Sequence, residues 1–339
     1  MRVFLAGLNG GRARAFNEWL KNLLGGEHSE TVFGRGHGRQ TVGIRPLAGK
    51  PSLNDRGGDL IAHGIRRYLR GDKNGRLALL AAIEQEAQKM KLYLAGQAPW
   101  KEDGLYNAAI QERCPYILES FYYATDWTEK MIPQFGAFLL DSGAFTLFSD
   151  AKRGRGVVWE EYVDKYADFI LRNKVQNFFE LDIDKLVGYE RVLTLRRRLE
   201  KKVGAQSIPV WHKSRGKDNF LRMCRDYKYV AIGGIVSKEI TPDEYKYFSW
   251  FIQQAHKAGA KIHGLGFTAL TQLHKYHFDS VDSTAWVSGN RFGSVYYFNG
   301  RTMEKLDKGK NQRMKNGKLI AINNFTEWCK FQRYAETHL

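Results

Sequence analysis

The chain has 339 residues, 43% hydrophobic and 13% aromatic, which predicts a folded protein of one large domain or two ordinary ones. It contains no apolar run of about 18 residues, so we expect no membrane span. Its cysteines form no CxxC pair, so we expect neither a disulfide framework nor a cysteine-based zinc site. The first apolar segment is too short for a secretory signal, and we expect a cytoplasmic location. The formal net charge of +17 favours a polyanionic partner, nucleic acid before anionic membrane, because phosphate binding releases counterions.

Residues 1–89 precede the regular part of the sequence, and we predict that they form an N-terminal extension with helices. The stretch 34–58 is rich in Gly and Arg and predicts a long loop, which is either a nucleic-acid-binding arm or a structural insertion. The segment 76–89 has the pattern of a helix.

From residue 90 onward, short apolar runs alternate with helical patterns. Eight strands are predicted, at 91–96, 116–123, 137–145, 177–184, 207–212, 229–236, 261–267 and 280–284. Helices are predicted at 157–173, 188–202 and 217–227, and a further helix should begin with a capping box of Thr241 and Glu244 and end at Gly259.

This alternation predicts an α/β protein in which residues 90–295 form a (β/α)8 TIM barrel, with a doubly wound open sheet as the alternative. A basic segment, 296–339, completes the barrel and ends in a helix near 325–336. In either architecture, the site lies at the carboxyl ends of the strands.

Acids occupy the ends of three predicted strands: Asp141, then Asp182 with Asp184, then Asp282. A single Asp there is commonly a helix cap, but three that converge are costly to bury unless they are paired or used. A metal site of Asp, Asp and His is one alternative, although no HxH or HExxH pair accompanies these residues, and we predict no metal. Glycosidic chemistry by two carboxylates, a nucleophile and a proton donor, is the other.

Five of the strand-end motifs resemble, in the same order, the motifs of the queuine/archaeosine tRNA-guanine transglycosylases. LLDSGAFTLFSD resembles the DSGG[FY]Q motif of that family, and LDID resembles its LDEC-type motif. AIGGIV resembles the GGLAVGE-type base-binding strand, HGLG resembles MGVG, and SVDST followed by Arg291 resembles [IV]D-x-F-D with its downstream arginine. The shared order covers residues 137–291, and the fold of the family is a TIM barrel.

The resemblance implies roles for individual residues. Asp282 falls at the nucleophile, which attacks C1′ of the sugar and holds a covalent intermediate, and Asp141 falls at the acid proposed for proton transfer. Asp182 falls at the acid that recognises the purine edge, with Asp184 as the alternative because the register there is ambiguous by two residues. The other base-binding positions correspond to Ser142, Phe145, His212, Gly233, Gly234, Ile235 and His263.

Within this set, Phe145 matches the ring that stacks on one face of the base, and His263 matches the residue that packs on the other. Gly233, Gly234 and Ile235 match backbone that hydrogen-bonds the base. His212 stands where the family usually has Gln, and the small Ser142 leaves room for a flat base beside Asp141.

Departures from the family favour DNA over tRNA as the substrate. The CxCxxC…H zinc site that follows the last catalytic motif of the tRNA enzymes is missing, and only Cys329 stands in that region. The nearer resemblance is to the branch that inserts 7-deazaguanines such as preQ0 or preQ1 into DNA in phages and bacterial modification clusters. We therefore expect a DNA-guanine transglycosylase without a cofactor, in the host cytoplasm if phage-encoded.

Nucleic-acid contacts are predicted for the basic loop residues Lys152, Arg153 and Arg155 and for Arg291, with an ordinary solvated loop as the alternative for 152–156. Three other functions stay open. They are the same exchange on tRNA, nucleic-acid binding by a barrel without catalysis, and nucleoside deoxyribosyl transfer, because KLYLAG resembles the opening strand of the deoxyribosyltransferases.

Overall fold

The computed structural model of the protein describes residues 2–4, 29–36, 39–46, 90–96, 104–143, 146–147, 156–287, 293–307 and 316–339. The chain divides into two compact units, Met1–Gln88 and Lys89–Leu339. In the first unit, strands β1 (Arg2–Phe4), β2 (Ser29–Gly36) and β3 (Arg39–Pro46) form an antiparallel sheet in the order β1-β3-β2.

The prediction of a loop over 34–58 is wrong for its first part. Strand β2 extends to Gly36, and β3 covers Arg39–Pro46 with the β-branched residues Thr41, Val42 and Ile44. The interspersed glycines suggested a loop, but the β propensity of these neighbours and the pairing of the two strands prevail. The helix predicted at 76–89 lies outside the described residues.

Seven parallel strands among the described residues of the second unit form a curled sheet. They are β4 (Lys91–Ala95), β5 (Tyr116–Ser120), β6 (Ala137–Asp141), β7 (Val210–Trp211), β8 (Tyr229–Ile232), β9 (Lys261–Gly264) and β10 (Ser280–Ser283). Their order in the sheet is β6-β5-β4-β10-β9-β8-β7. Four of five residues in β4 and all four in β10 are buried, as expected for a parallel sheet covered on both faces. The protein is therefore a mixed α/β structure.

A short segment, 177–180, bonds to both edges of this sheet. Phe178 forms a parallel bridge with Leu140 of β6, and Phe179 forms one with Ile208, two residues before β7. The Tyr166 hydroxyl lies 3.1 Å from the carbonyl oxygens of both Leu140 and Phe179, which stabilises this junction. One apolar cluster accordingly joins the two edges, and its buried members are Tyr93, Ala95, Tyr116, Leu118, Leu139, Phe179, Ile208, Val210 and Ala231.

The strand predicted over 177–184 is present only as these two bridges, and its second half is not a strand. The Ile183 N–H donates to the Leu181 carbonyl at 3.0 Å, which turns the chain out of the sheet. Asp184 then begins a single helical turn. Because neither Asp182 nor Asp184 lies in a strand, the alternation of side chains along a strand does not place them on one face.

The main helices among the described residues of the second unit are α1 (Gly104–Arg113), α2 (Asp126–Met131), α3 (Trp159–Arg172), α4 (Asp184–Val187), α5 (Tyr189–Val203), α6 (Gly216–Asp226), α7 (Phe248–Lys257) and α8 (Gly317–His338). Helices α3, α5, α6, α7 and α8 overlap predicted helices, whereas α1, α2 and α4 were not predicted. The predicted capping box is confirmed, because the Thr241 N–H donates to Glu244 at 3.1 Å. The residues that follow, Pro242–Tyr247, form a 3-10 helix before α7 begins.

The final segment contains a hairpin that the sequence did not predict, β11 (Ser294–Phe298) paired with β12 (Met303–Asp307), and the predicted terminal helix. Helix α8 is bound to the sheet by the buried Gln332, whose Nε2 donates to the carbonyls of Leu92 and Tyr116 at 2.7 Å each. Among the described residues, no helix combines the length and the apolar character that crossing a membrane requires.

Candidate active site

Three acids lie at the end of the curled sheet where its parallel strands finish. Asp141 is the last residue of β6, Asp282 is the third residue of β10, and Asp182 follows the bridging segment 177–180. Burial raises the pKa of Asp141 most, and the negative charges of Asp182 and Asp282 raise it further, so both lie within electrostatic range of Asp141. Asp141 and Asp282 therefore lie at the carboxyl ends of their strands, as the sequence predicted.

Asp141 is held in a form that protonates readily. Burial is the largest cause that raises its pKa, to about 6, and the Gly143 N–H opposes the rise by donating to Oδ2 at 2.8 Å. Gly143 is required there, because its φ is +82° and a Cβ would lie 2.7 Å from Cβ of Tyr122. Ser142 is fully buried, and its carbonyl accepts a hydrogen bond of 2.7 Å from the Tyr162 hydroxyl.

Asp282 is buried and receives two hydrogen bonds on one oxygen. The Gly266 N–H donates to Oδ1 at 2.6 Å, and Nε2 of His263 lies 3.2 Å from the same atom. The His263 ring has no exposed surface, and its Nδ1 contacts Oγ of Ser280 at 2.5 Å. His263 is thus a fully buried ring that forms a hydrogen bond with the carboxylate of Asp282.

Asp182 is joined to His212, and His212 in turn to Glu239. Nε2 of His212 is 2.8 Å from both oxygens of Asp182, while Nδ1 is 3.3 Å from Oε2 of Glu239. Burial lowers the pKa of His212, but the hydrogen bond and charge of Asp182 outweigh it, so that the pKa lies above its ordinary value. Both ring nitrogens therefore face carboxylates, an arrangement that suits an imidazolium.

The glycines after β8 have a packing role that the sequence did not reveal. A Cβ on Gly233 would lie 2.8 Å from Cε1 of His212, and Gly234 has a φ of +84° with Glu239 close by. The Gly233 N–H donates to the Trp211 carbonyl at 2.8 Å, so it is already used within the sheet. Ile235 is buried, and its carbonyl accepts a hydrogen bond from Lys238 at 3.2 Å.

The ligand atoms of Asp182, Asp184 and His212 lie within 4.8 Å of one another, a grouping that could hold a metal ion. The guanidinium of Arg215 already binds there, 2.9 Å from Asp184 and 3.6 Å from Asp182. The same guanidinium is 3.4 Å from the fully buried Glu180. We therefore assign this cluster to ion pairing, because a bound cation would have to displace a buried arginine.

Five predicted site residues lie outside the described part of the chain: Phe145, Lys152, Arg153, Arg155 and Arg291. Sequence reasoning missed Arg215, Glu239 and Ser280, which contact predicted site residues, and Tyr229, which contacts Ser280. A signal was available for Ser280, because it lies two residues before Asp282 on a strand and therefore faces the same side. No comparable signal marks the other three.

Comparisons with known proteins do not assign this chain to a family. No protein-family model matches the chain, and no curated protein matches it. The argument for a function therefore depends on the residues and their geometry.

Proposed function

We propose that the protein is a DNA-guanine transglycosylase, which exchanges guanine in DNA for a 7-deazaguanine base by double displacement. The observation that carries this proposal is that Asp141, Asp182 and Asp282 lie together at the carboxyl ends of the strands, with the pKa of Asp141 raised to about 6. Glycosidic exchange needs two carboxylates in different protonation states, one as nucleophile and one as proton donor. The resemblance of the five motifs to the guanine transglycosylases supports the same assignment.

In the first displacement, an oxygen of Asp282 attacks C1′ of the target nucleotide and the bond from C1′ to guanine breaks. The protonated carboxyl of Asp141 gives its proton to the departing base, so the base leaves neutral. A carboxyl group with a pKa of about 6 holds a usable fraction of its protons near neutral pH. The products of this step are free guanine and a covalent sugar ester of Asp282.

In the second displacement, the incoming 7-deazaguanine attacks C1′ through N9 and the ester bond to Asp282 breaks. The N9 proton passes to the Asp141 carboxylate, which restores both side chains to their starting states. One N-glycosidic bond is broken and one is formed, so the exchange requires neither ATP nor a cofactor.

Asp182 is proposed to recognise the base. A carboxylate accepts two hydrogen bonds, which matches the adjacent N–H donors on the edge of guanine and of a 7-deazaguanine. His212 restrains both oxygens of Asp182 and leaves further lone pairs on each for a base. In this proposal Asp184 is a structural residue, because Arg215 binds its Oδ2 at both 2.9 and 3.1 Å.

We further propose that the curled sheet is a complete (β/α)8 barrel, in which 177–180 acts as the eighth strand. Its parallel bridges to Leu140 and Ile208 support this, since they connect the two sheet edges. A guanine in a duplex must leave the base stack to reach the mouth of a barrel, so base flipping or a single-stranded substrate is required.

The test is exchange of labelled guanine, measured with duplex DNA and with tRNA, in the wild type and in Asp282→Asn. We expect exchange and a covalent adduct on DNA with the wild type, and neither with the variant. Asp164→Asn is a control. Asp164 on helix α3 forms an ion pair with Arg198 on helix α5, and this pair involves none of the three acids. Exchange on tRNA alone would show that tRNA, and not DNA, is the substrate. Absence of any adduct would refute double displacement through Asp282.

A further inference from the structure

The carboxylate of Asp282 is the last member of a chain of hydrogen bonds. The hydroxyl of Tyr229 contacts Oγ of Ser280, Ser280 contacts Nδ1 of His263, and Nε2 of His263 contacts Oδ1 of Asp282. Strand register creates the chain, because Ser280 on β10 lies directly opposite His263 on β9. Ser280 and His263 are 1% and 0% exposed, so water does not compete for these groups.

The direction of the hydrogen bonds follows from the charges at the two ends. An ionised Asp282 only accepts hydrogen bonds, so the Nε2 of His263 must carry the proton that it shares with Oδ1. The ring packs against the rings of Phe179 and Tyr93, whose centroids lie 5.3 and 6.3 Å from its own. Nδ1 of a neutral ring then accepts from the Ser280 hydroxyl, and Ser280 accepts from Tyr229.

Tyr229 fits the position of first donor. Burial raises its pKa well above its ordinary value, so its hydroxyl keeps its proton. The chain therefore has one consistent arrangement, in which each group donates toward Asp282.

Both hydrogen bonds to Asp282 reach the same oxygen. Gly266 and His263 both bond Oδ1, and no residue in the described part of the chain hydrogen-bonds Oδ2, which is therefore left for the substrate. We propose that Tyr229, Ser280 and His263 are positioning residues that fix Asp282 with Oδ1 bound and Oδ2 directed at C1′. This proposal rests on the proposed function, because it takes Asp282 as the nucleophile.

The first test is spectroscopic and does not depend on activity. Nitrogen-15 NMR of the histidines, with His263 assigned by comparison with His263→Gln, should show a neutral ring protonated on Nε2. Ser280→Ala removes the donor to Nδ1 and should shift the ring toward a mixture of tautomers. A wild-type ring protonated on Nδ1, or a Ser280→Ala spectrum identical to that of the wild type, would overturn the proposal.

The second test is kinetic. Ser280→Ala should lower kcat by about 10- to 100-fold with little change in KM for the base, because a misdirected carboxylate affects the attack and not base binding. Ser280→Thr, which restores a hydroxyl, should recover most of the loss. Ser283→Ala is the matched control, since Ser283 is equally buried on the same strand and its hydroxyl contacts the N–H of Ala285.

Tyr229→Phe provides a milder second variant, which keeps the ring and removes only the hydroxyl; we expect a smaller loss of kcat than in Ser280→Ala. A Ser280→Ala enzyme with wild-type kcat would refute the positioning role. If Asp282→Asn still catalyses exchange, or if the wild type forms no adduct with DNA or tRNA, the proposed function fails instead. The two failures are therefore distinguishable.

Discussion

Asp141 is a carboxylate whose ionised form the fold destabilises. Its pKa of about 6 lies above the ordinary 3.8, so between these values the native state binds more protons than the unfolded state. The free energy of unfolding therefore falls as pH rises from about 4 to about 6, by about 3 kcal/mol in total from this group. Asp141→Asn should abolish this component and be more stable than the wild type at pH 7, while losing exchange activity.

Urea unfolding at a series of pH values measures this directly. Asp164→Asn is the comparison, because the pKa of the Asp164 carboxyl is lowered by its hydrogen bond with Arg198 and its mutation should not raise stability at neutral pH. A wild type and an Asp141→Asn variant with parallel pH profiles would show that Asp141 ionises as freely in the native as in the unfolded state.

Two arginines of this chain bind carboxylates in opposite surroundings. Arg215 is 4% exposed and lies among Glu180, Asp182 and Asp184, whereas Arg198 is 48% exposed and binds Asp164. Arg215→Met should lower the free energy of unfolding by about 3 kcal/mol, since Asp184 loses its cation while Glu180 keeps Arg196 and Asp182 keeps His212. Arg198→Met should cost much less, because water screens an exposed pair.

Chemical denaturation of the two variants separates these expectations. Equal small losses would mean that water reaches the Arg215 cluster and that its ion pairs are effectively exposed. That result would also reopen the possibility that a cation binds Asp182, Asp184 and His212 in place of Arg215.

At the scale of an element, the turn after β9 connects fold to chemistry. Gly266 has a φ of +73°, its N–H holds Asp282, and a Cβ there would lie 2.3 Å from Cγ2 of Val236. Gly266→Ala should therefore reduce both stability and the exchange rate. Exchange falls because Asp282 loses the hydrogen bond from the Gly266 N–H that holds Oδ1. Gly259→Ala is a close control, since φ is +75° at a position with open space around the Cβ.

Thermal unfolding and exchange rates of the two alanine variants provide the measurement. Both should lose about 1 kcal/mol to backbone strain, and only Gly266→Ala should lose more than that and become inactive. An active Gly266→Ala variant would show that the turn adapts without moving the carboxylate.

Elements that depend on local pattern were predictable, and contacts between elements were not. Apolar runs located the seven strands, and helical spacing located α3, α5 and α6, because the apolar residues of these elements are buried where the elements pack. Helices α1, α2 and α4 were not predicted. The run 177–184 has the same apolar pattern, yet only Phe178 and Phe179 pair before the chain turns at Ile183. The acids were found from their places at strand ends, whereas Glu239 and Tyr229 join the site through register and loop geometry.

At the scale of the whole molecule, the net charge of +17 makes a prediction about binding. If the protein binds DNA through its phosphates, the logarithm of affinity falls linearly with the logarithm of salt concentration. We expect the affinity for duplex DNA to fall about 100-fold between about 50 and 200 mM salt, which corresponds to about four phosphate contacts. Fluorescence anisotropy of a labelled duplex measures the slope.

Two comparisons make that slope informative about function. Binding of an uncharged 7-deazaguanine base should be nearly independent of salt, because no counterion is released. Asp282→Asn should keep the slope of the wild type, because Asp282 is buried and, in the proposed function, acts on the sugar carbon and not on a phosphate. A steep slope with no adduct in the wild type would favour a nucleic-acid-binding protein without catalysis, and an affinity for DNA that does not change with salt would remove phosphate binding as the reason for the positive charge.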